Sequence, residues 1–193
     1  MLREGFFQDG PELGNQYDGD PVLRGYLKRI LPPGVLEEVE PDLRRMGGRT
    51  VMDILALGRE AEAHPPQLIS RDPWGRLLSH IEVSRAWQDL HRLSAQEGLV
   101  AIAYERKYGC FSRIYQFAKL YLFHPSSAFY TCPLAMADGA ARTLETYGDP
   151  SPEKGALSRL TSRNPGLFWT SGQWMTERQG GSDVGETSTV ARA

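Results

Sequence analysis

The chain has 193 residues, 40% of them hydrophobic and 24% charged, with a formal net charge of −2. That length holds one domain and part of another around a real core, and the balanced charge excludes the clustered basic excess that a nucleic-acid binder needs. Two cysteines make no disulfide scaffold, no apolar run approaches the ~20 residues that span a bilayer, and the start Met1-Leu2-Arg3-Glu4-Gly5 carries neither a signal-peptide nor a transit pattern, so a cytoplasmic protein of a reducing compartment is expected.

Residues 5 to 19 read as an irregular arm, in which Gly, Asp, Asn, Gln and Pro interrupt Phe6, Phe7, Leu13 and Tyr17. Asp20-Pro21 then opens a helix. Asp is the cap, and Pro sits at the first position, where its missing N–H has no intrahelical partner to lose. Val22, Leu23, Tyr26, Leu27 and Ile30 follow as an apolar stripe at helical spacing, and Pro32-Pro33 ends it. A second helical stretch carries Val35, Leu36, Val39, Leu43 and Met46 and should stop at Gly47-Gly48. A third begins near Thr50, carries Val51, Ile54, Leu55 and Leu57, and breaks at His64-Pro65-Pro66. Residues 67 to 82 read as extended chain with Asp72-Pro73-Trp74-Gly75 as an internal turn.

The helical period returns at Val83. Trp87, Leu90, Leu93 and Leu99 predict one helix running to about Tyr104, broken by Lys107-Tyr108-Gly109. Ile114, Phe117, Ala118, Tyr121 and Leu122 mark the next, which ends at His124-Pro125. Another spans about Thr131 to Tyr147 and closes at Gly148. Ser151-Pro152-Glu153 opens a short helix with Leu157 and Leu160 three apart. From 167 to 193 aromatics, Thr and Gly replace Leu and Ala, and Thr187-Ser188-Thr189-Val190 reads as a strand, as when a helical domain hands over to a sheet. The expected fold is mainly α, with about six or seven helices followed by the first strands of a β domain.

Common catalytic patterns fail on inspection. Gly180-Gly181-Ser182-Asp183-Val184 nearly matches a nucleophile elbow, but Val184 occupies the final Gly position and the last histidine is His124. A triad in the order Ser, acid, His is therefore impossible. No Gly-x-Gly-x-x-Gly and no Gly-Lys-Ser/Thr is present. His64, His80, His91 and His124 lack ligand spacing to one another or to Cys110 and Cys132, so all four read as structural and no metal is expected. Trp74, Trp87, Tyr115, Phe117 and Tyr121 lack flanking basic clusters and read as core rather than as a stacking surface.

The segment Trp174-Met175-Thr176-Glu177-Arg178-Gln179-Gly180-Gly181-Ser182-Asp183-Val184 closely resembles the Met-Thr-Glu-…-Gly-Ser-Asp signature of the acyl-CoA dehydrogenases. Its Gln179-Gly180-Gly181 variant is similar to the AidB-like branch. Three upstream stretches agree: Leu57-Gly58-Arg59-Glu60-Ala61 with Pro65-Pro66-Gln67-Leu68, Asp72-Pro73-Trp74-Gly75-Arg76 followed by Ala86-Trp87, and Cys132-Pro133-Leu134-Ala135-Met136. The resemblance implies an N-terminal arm over 1–19, the helical N-terminal domain of that family over 20–166, and the truncated start of its β domain over 167–193. It implies FAD as cofactor, with contacts at Gln173, Trp174, Met175, Thr176, Glu177, Gly180, Gly181 and Ser182. Thr176 and the backbone from Gln173 to Glu177 would pass the isoalloxazine, where N–H groups stabilise the charge a reduced flavin gathers. Gly180 and Gly181 would let backbone approach closely. Ser182 would bond the pyrophosphate region or the acyl-CoA. Glu177 and Asp183 match the motif, with loop-fixing favoured over chemistry for both.

The family's reaction is FAD-dependent α,β-dehydrogenation of an acyl-CoA, with a glutamate removing the α-proton. The resemblance puts that base in a C-terminal domain, so no catalytic residue is named here and the chain is expected to be inactive alone. The alternative expectation is a non-catalytic interaction module that associates with full-length subunits or forms a homo-oligomer.

Overall fold

The computed structural model describes residues 8–148 and 155–190, and among these it is mainly helical with one two-stranded sheet. Helix α1 (Pro21–Ile30) starts where the sequence places it. Asp20 accepts the Leu23 N–H at 2.8 Å, which satisfies one of the donors a helix start leaves orphaned. Of its stripe, Leu23 and Leu27 are buried, while Val22 and Tyr26 face outward.

Helix α2 (Pro33–Arg49) does not stop at Gly47-Gly48. It runs through them into a π-helical turn (Thr50–Ile54) and on into α3 (Leu55–Ala63). The glycines serve close approach instead. The Asn15 amide reaches the Arg44 carbonyl at 2.8 Å, Gln16 N–H donates to the Gly47 carbonyl at 3.1 Å, and Tyr17 is buried. A Cβ on Gly47 would lie 2.5 Å from the Tyr17 backbone nitrogen. The far end of the expected irregular arm is thus packed onto α2.

The stretch after His64 forms an antiparallel hairpin, β1 (Gln67–Arg71) and β2 (Leu77–Glu82), with Leu68 opposite Ile81 and a register shift between Ile69 and Arg71. Asp72 shapes its turn by accepting from the Trp74 and Arg76 N–H groups at 2.9 and 2.8 Å, and Gly75 supplies φ +86. Trp74, expected in the core, stands at the hairpin tip and is 82% exposed.

The single helix expected from Val83 to Tyr104 is two: α4 (Arg85–Gln96) and α5 (Ala101–Glu105). Gly98 at φ +65 makes the break, and the Arg163 guanidinium fills the space its missing side chain leaves, held by Glu105. Helix α6 (Phe111–Phe123) and a 3₁₀ turn (His124–Ser126) end where the sequence indicates, as does α7 (Thr131–Tyr147). The expected opening of the next helix, Ser151-Pro152-Glu153, lies outside the described residues. The helix itself is present as α8 (Ala156–Leu160), with Leu160 buried.

The apolar core joins Leu27, Val39, Leu43, Met46, Ile54, Leu90, Leu99, Phe123, Leu134 and Ala137 from six helical elements and the turn after α4. Through it runs a charged seam. Lys119 on α6 is 2% exposed, and its ammonium donates to the Glu97 carboxylate at 2.7 Å and lies 2.8 Å from Asp42. Arg45 and Arg49 of α2 reach the same carboxylate, Arg45 through two N–H groups at 2.7 and 2.5 Å and Arg49 through one at 2.7 Å. Burial works against ionisation of Glu97, but the hydrogen bonds and charges of Arg45 and Lys119 bring its pKa down to about 2. Tyr115 donates to Asp42 and is partly buried. Phe117 and Tyr121, expected in the core with it, lie half-exposed on the outer face of α6 beside Val22 and Tyr26. They form an apolar groove because nothing described packs over that face.

Removing the cation leaves buried carboxylates short of a partner. Lys119→Met is expected to lower unfolding free energy by about 3 kcal/mol in urea melts followed by circular dichroism. A change within experimental scatter would show that the seam contributes nothing.

Candidate functional site

The signature segment is reached through a short, closely tied lead. In Asn164-Pro165-Gly166, the Asn164 side chain accepts the Gly166 N–H at 2.9 Å, and its carbonyl accepts both Leu167 and Phe168 N–H at 2.9 Å. Phe168 is 4% exposed and is the last buried residue before the segment. Trp169 N–H donates to the Arg159 carbonyl at 3.2 Å while the Arg159 guanidinium lies 5.5 Å from the Trp169 ring centroid. Further on, Gln173 N–H points at the Met136 sulfur, 3.3 Å away, and its amide lies beside Gly139 of α7. The Cys132–Met136 stretch singled out in the sequence therefore seats the first residue of the expected cofactor contact set.

Beyond Gln173 the chain stands in the open. Trp174 is 96% exposed, and Met175, Thr176, Gly180, Gly181 and Ser182 are exposed as well. Glu177 and Gly180 exchange backbone hydrogen bonds at 2.8 and 3.2 Å, closing a tight turn over Arg178-Gln179. The turn brings Gly181 against Thr176, so close that a Cβ on Gly181 would sit 3.0 Å from the threonine methyl. No contact within 4 Å awaits a Cβ on Gly180. Of the two glycines, only Gly181 is fixed by crowding inside the chain.

Glu177 holds the loop. Its carboxylate accepts from Ser188 N–H and Oγ–H at 3.0 and 2.9 Å, from Thr189 N–H and Oγ1–H at 3.0 and 2.5 Å, and from the Gln179 amide at 2.7 Å. These donors, led by the Thr189 hydroxyl, bring its pKa down to about 2. A carboxylate so saturated is a poor proton acceptor near neutral pH, which supports the loop-fixing role. Asp183 likewise accepts the Gly185 N–H at 3.0 Å and caps a 3₁₀ turn (Val184–Glu186). No strand forms over Thr187–Val190. The Ser188 and Thr189 N–H groups that a ladder would use go to Glu177 instead.

The structure thus brings Gln173, Trp174, Met175, Thr176, Gly181 and Ser182 onto one exposed segment and separates out Glu177. Among the described residues, the N–H groups of Trp174, Met175, Thr176, Gly181 and Ser182 have no protein partner. A row of unpartnered donors beside a glycine cradle matches the acceptor-rich edge of a flavin, so these residues fit the cofactor that the signature implies. They offer no metal site: no group of three or more His, Cys, Asp or Glu converges among the described residues. Nor is any described helix long and apolar enough to cross a membrane.

Sequence reasoning missed what stands behind the segment. His91 of α4 lies with Nδ1 2.8 Å from the Tyr130 hydroxyl, and its ring packs on Phe168 at 5.1 Å. These partners lie 39 and 77 positions apart in the chain, with no local pattern to join them.

Comparison with known proteins identifies the family. Residues 11–164 match the family described as the adaptive response protein AidB N-terminal domain. Acyl-CoA dehydrogenase family member 11 of Caenorhabditis elegans is 44% identical over 184 residues, covering 93% of this chain and 30% of that protein. A solved structure described as Bd2924 apo-form superposes with a TM-score of 0.89 at 49% identity, over 95% of this chain and 37% of that one. The Caenorhabditis elegans ACDH-11 structure in complex with C11-CoA gives 0.87 at 44% identity, over 94% and 31%. The chain belongs to the AidB N-terminal-domain family, and it spans about a third of the length of these relatives.

If Glu177 clamps the loop, Glu177→Gln removes the charge and half the acceptor capacity. Trypsin is then expected to cut after Arg178 several-fold faster while the helices stay intact. Equal cleavage rates would contradict the clamp.

Proposed function

We propose that this chain supplies the helical scaffold and one edge of the flavin site of an acyl-CoA dehydrogenase-like flavoprotein. The single observation that carries the proposal is the exposed set of partnerless N–H groups at Trp174, Met175, Thr176, Gly181 and Ser182, on a segment seated on α7 through Met136. FAD, when bound, would accept a hydride from the β-carbon of an acyl-CoA. Backbone at Trp174, Met175 and Thr176 would donate to the ring's edge, where pre-oriented dipoles stabilise added negative charge without reorganising. Gly181 would keep backbone close to the cofactor, and the Ser182 hydroxyl would bond its pyrophosphate region or the thioester substrate. Homology to the acyl-CoA dehydrogenases is shown over their N-terminal region, and the substrate class follows by extension from the relative held with C11-CoA.

The proton abstraction needs a base that this segment does not contain. Glu177 and Asp183 are both committed to the loop. On this reading the segment binds and orients, and the base comes from groups outside it.

A second reading is favoured by the groove between α1 and α6. Val22, Tyr26, Phe117 and Tyr121 expose apolar surface together there, as expected where a second copy or a longer subunit docks.

The test is visible flavin absorbance retained by the purified chain after FAD is added and excess removed. Bound flavin is expected, weakened about tenfold, or ~1.4 kcal/mol, by Gly181→Val, with no acyl-CoA turnover by the chain alone. Colourless folded protein would overturn the flavin half-site, and turnover would overturn the assignment of the base to groups beyond the segment.

A further inference from the structure

The signature segment leaves the helical domain at one buried side chain, and that side chain rests on a histidine. Phe168 is 4% exposed, and its ring meets His91 at 5.1 Å with the planes tilted by 38°. From Trp169 to Val190 no residue is buried. His91 is partly buried on α4, and the carbonyls of Pro165 and Phe168 face its ring. Its Nδ1 lies 2.8 Å from the hydroxyl of Tyr130, just ahead of α7, and Tyr130 is itself 1% exposed with Trp87 edge-on at 5.0 Å. One imidazole therefore touches α4, the start of α7 and the turn that launches the segment.

The proton positions follow from chemistry. Burial pushes the Tyr130 hydroxyl far above its ordinary pKa, so it keeps its proton at any moderate pH. Among the described residues, that hydroxyl has no partner but His91. Tyr130 therefore donates, Nδ1 accepts, and Nε2 carries the proton that can serve the Pro165 and Phe168 carbonyls. A protonated imidazole breaks this arrangement. Its Nδ1–H would also point at the tyrosine oxygen, and the tyrosine proton would lose the one acceptor it has among the described residues, a costly state for a buried polar group.

The charged surroundings offer the imidazolium no carboxylate. From α4 itself come Arg92 and Asp89, already paired with each other at 2.5 Å. From the start of α7 comes only Tyr130, and residues 164–170 of the turn carry no ionisable side chain. Burial lowers the His91 pKa below its usual 6.5, with Arg92 adding to the shift and the two carbonyls opposing it.

The geometry points to His91 as a protonation-sensitive positioning residue: the neutral imidazole, bridging Tyr130 and the 164–168 turn, fixes where the signature segment emerges, and the imidazolium, which gives up the Tyr130 bond while keeping its hold on the turn, displaces it. Its effect on cofactor binding rests on the flavin reading given above. The sign is that of a group whose folded pKa is depressed. The anchor is complete above about pH 6.5, the unfolded value, and is lost as pH falls through the lower folded value.

The test follows the His91 ring and the amides of Thr170–Thr176 together by NMR across an acid titration of the chain. The segment amides are expected to shift with the same midpoint as His91, below 6.5. In His91→Gln, which keeps a donor and an acceptor but does not titrate, they should hold their neutral-pH positions. In Tyr130→Phe the midpoint should move up, because the neutral form has lost its hydrogen bond; this variant carries the test should the glutamine variant fail to fold. Segment amides that ignore His91 titration, or that shift unchanged in both variants, would overturn the anchor. FAD affinity should fall about tenfold, or ~1.4 kcal/mol, over the same window and not in His91→Gln. Absence of FAD binding at every pH, with the amide coupling intact, would count against the flavin reading and leave the anchor standing.

Discussion

The fold depends on one buried carboxylate. Glu97, at the end of α4, receives Arg45 and Arg49 from α2 and Lys119 from α6. Three helices are thereby fixed in rotation as well as distance, which non-directional apolar burial does not supply by itself. Hydrogen-bonded ion pairs in a low-dielectric interior cost desolvation and tolerate little misplacement. The seam therefore selects one packing of α2, α4 and α6 over its neighbours in register. Asp42, shared by Lys119 and the Tyr115 hydroxyl, extends the seam along α2.

From that fixed frame the path to the functional segment is short. The frame holds α4, which carries His91. His91, bonded to Tyr130, receives Phe168, and α7 offers Met136 to Gln173. The segment beyond is not part of the core at all. It keeps its shape through a loop closed on the Glu177 carboxylate, and it turns its own N–H groups outward. Rigidity behind and open donors in front is what a cofactor edge requires, because donors already aimed need no reorganisation when charge develops.

Much of this was legible in the sequence because it is written locally. Asp20-Pro21, His64-Pro65-Pro66, Asp72-Pro73-Trp74-Gly75 and Gly148 punctuate the chain by their own backbone chemistry. The Trp174–Val184 signature announced the family. The errors fall where distant residues decide. Gly47-Gly48 reads as a helix stop, but it is a docking surface for Asn15 and Tyr17, some thirty positions earlier. Gly98 reads as part of a continuous helix, but it breaks one and seats Arg163. Phe117 and Tyr121 share the helical period of core residues, yet face outward because periodicity gives a face and not what covers it. Thr187–Val190 has strand composition, but its donors are taken by Glu177. The His91–Tyr130–Phe168 cluster left no trace in spacing at all.

Hydrogen exchange of the chain with and without FAD tests the central claim most directly. The account predicts that amides of α2, α4 and α6 exchange slowly in both conditions, while those of Trp174–Ser182 exchange fast alone and become protected when FAD is added. Fast exchange throughout α2, α4 and α6, or a signature segment that stays unprotected with FAD over slow-exchanging helices, would contradict it.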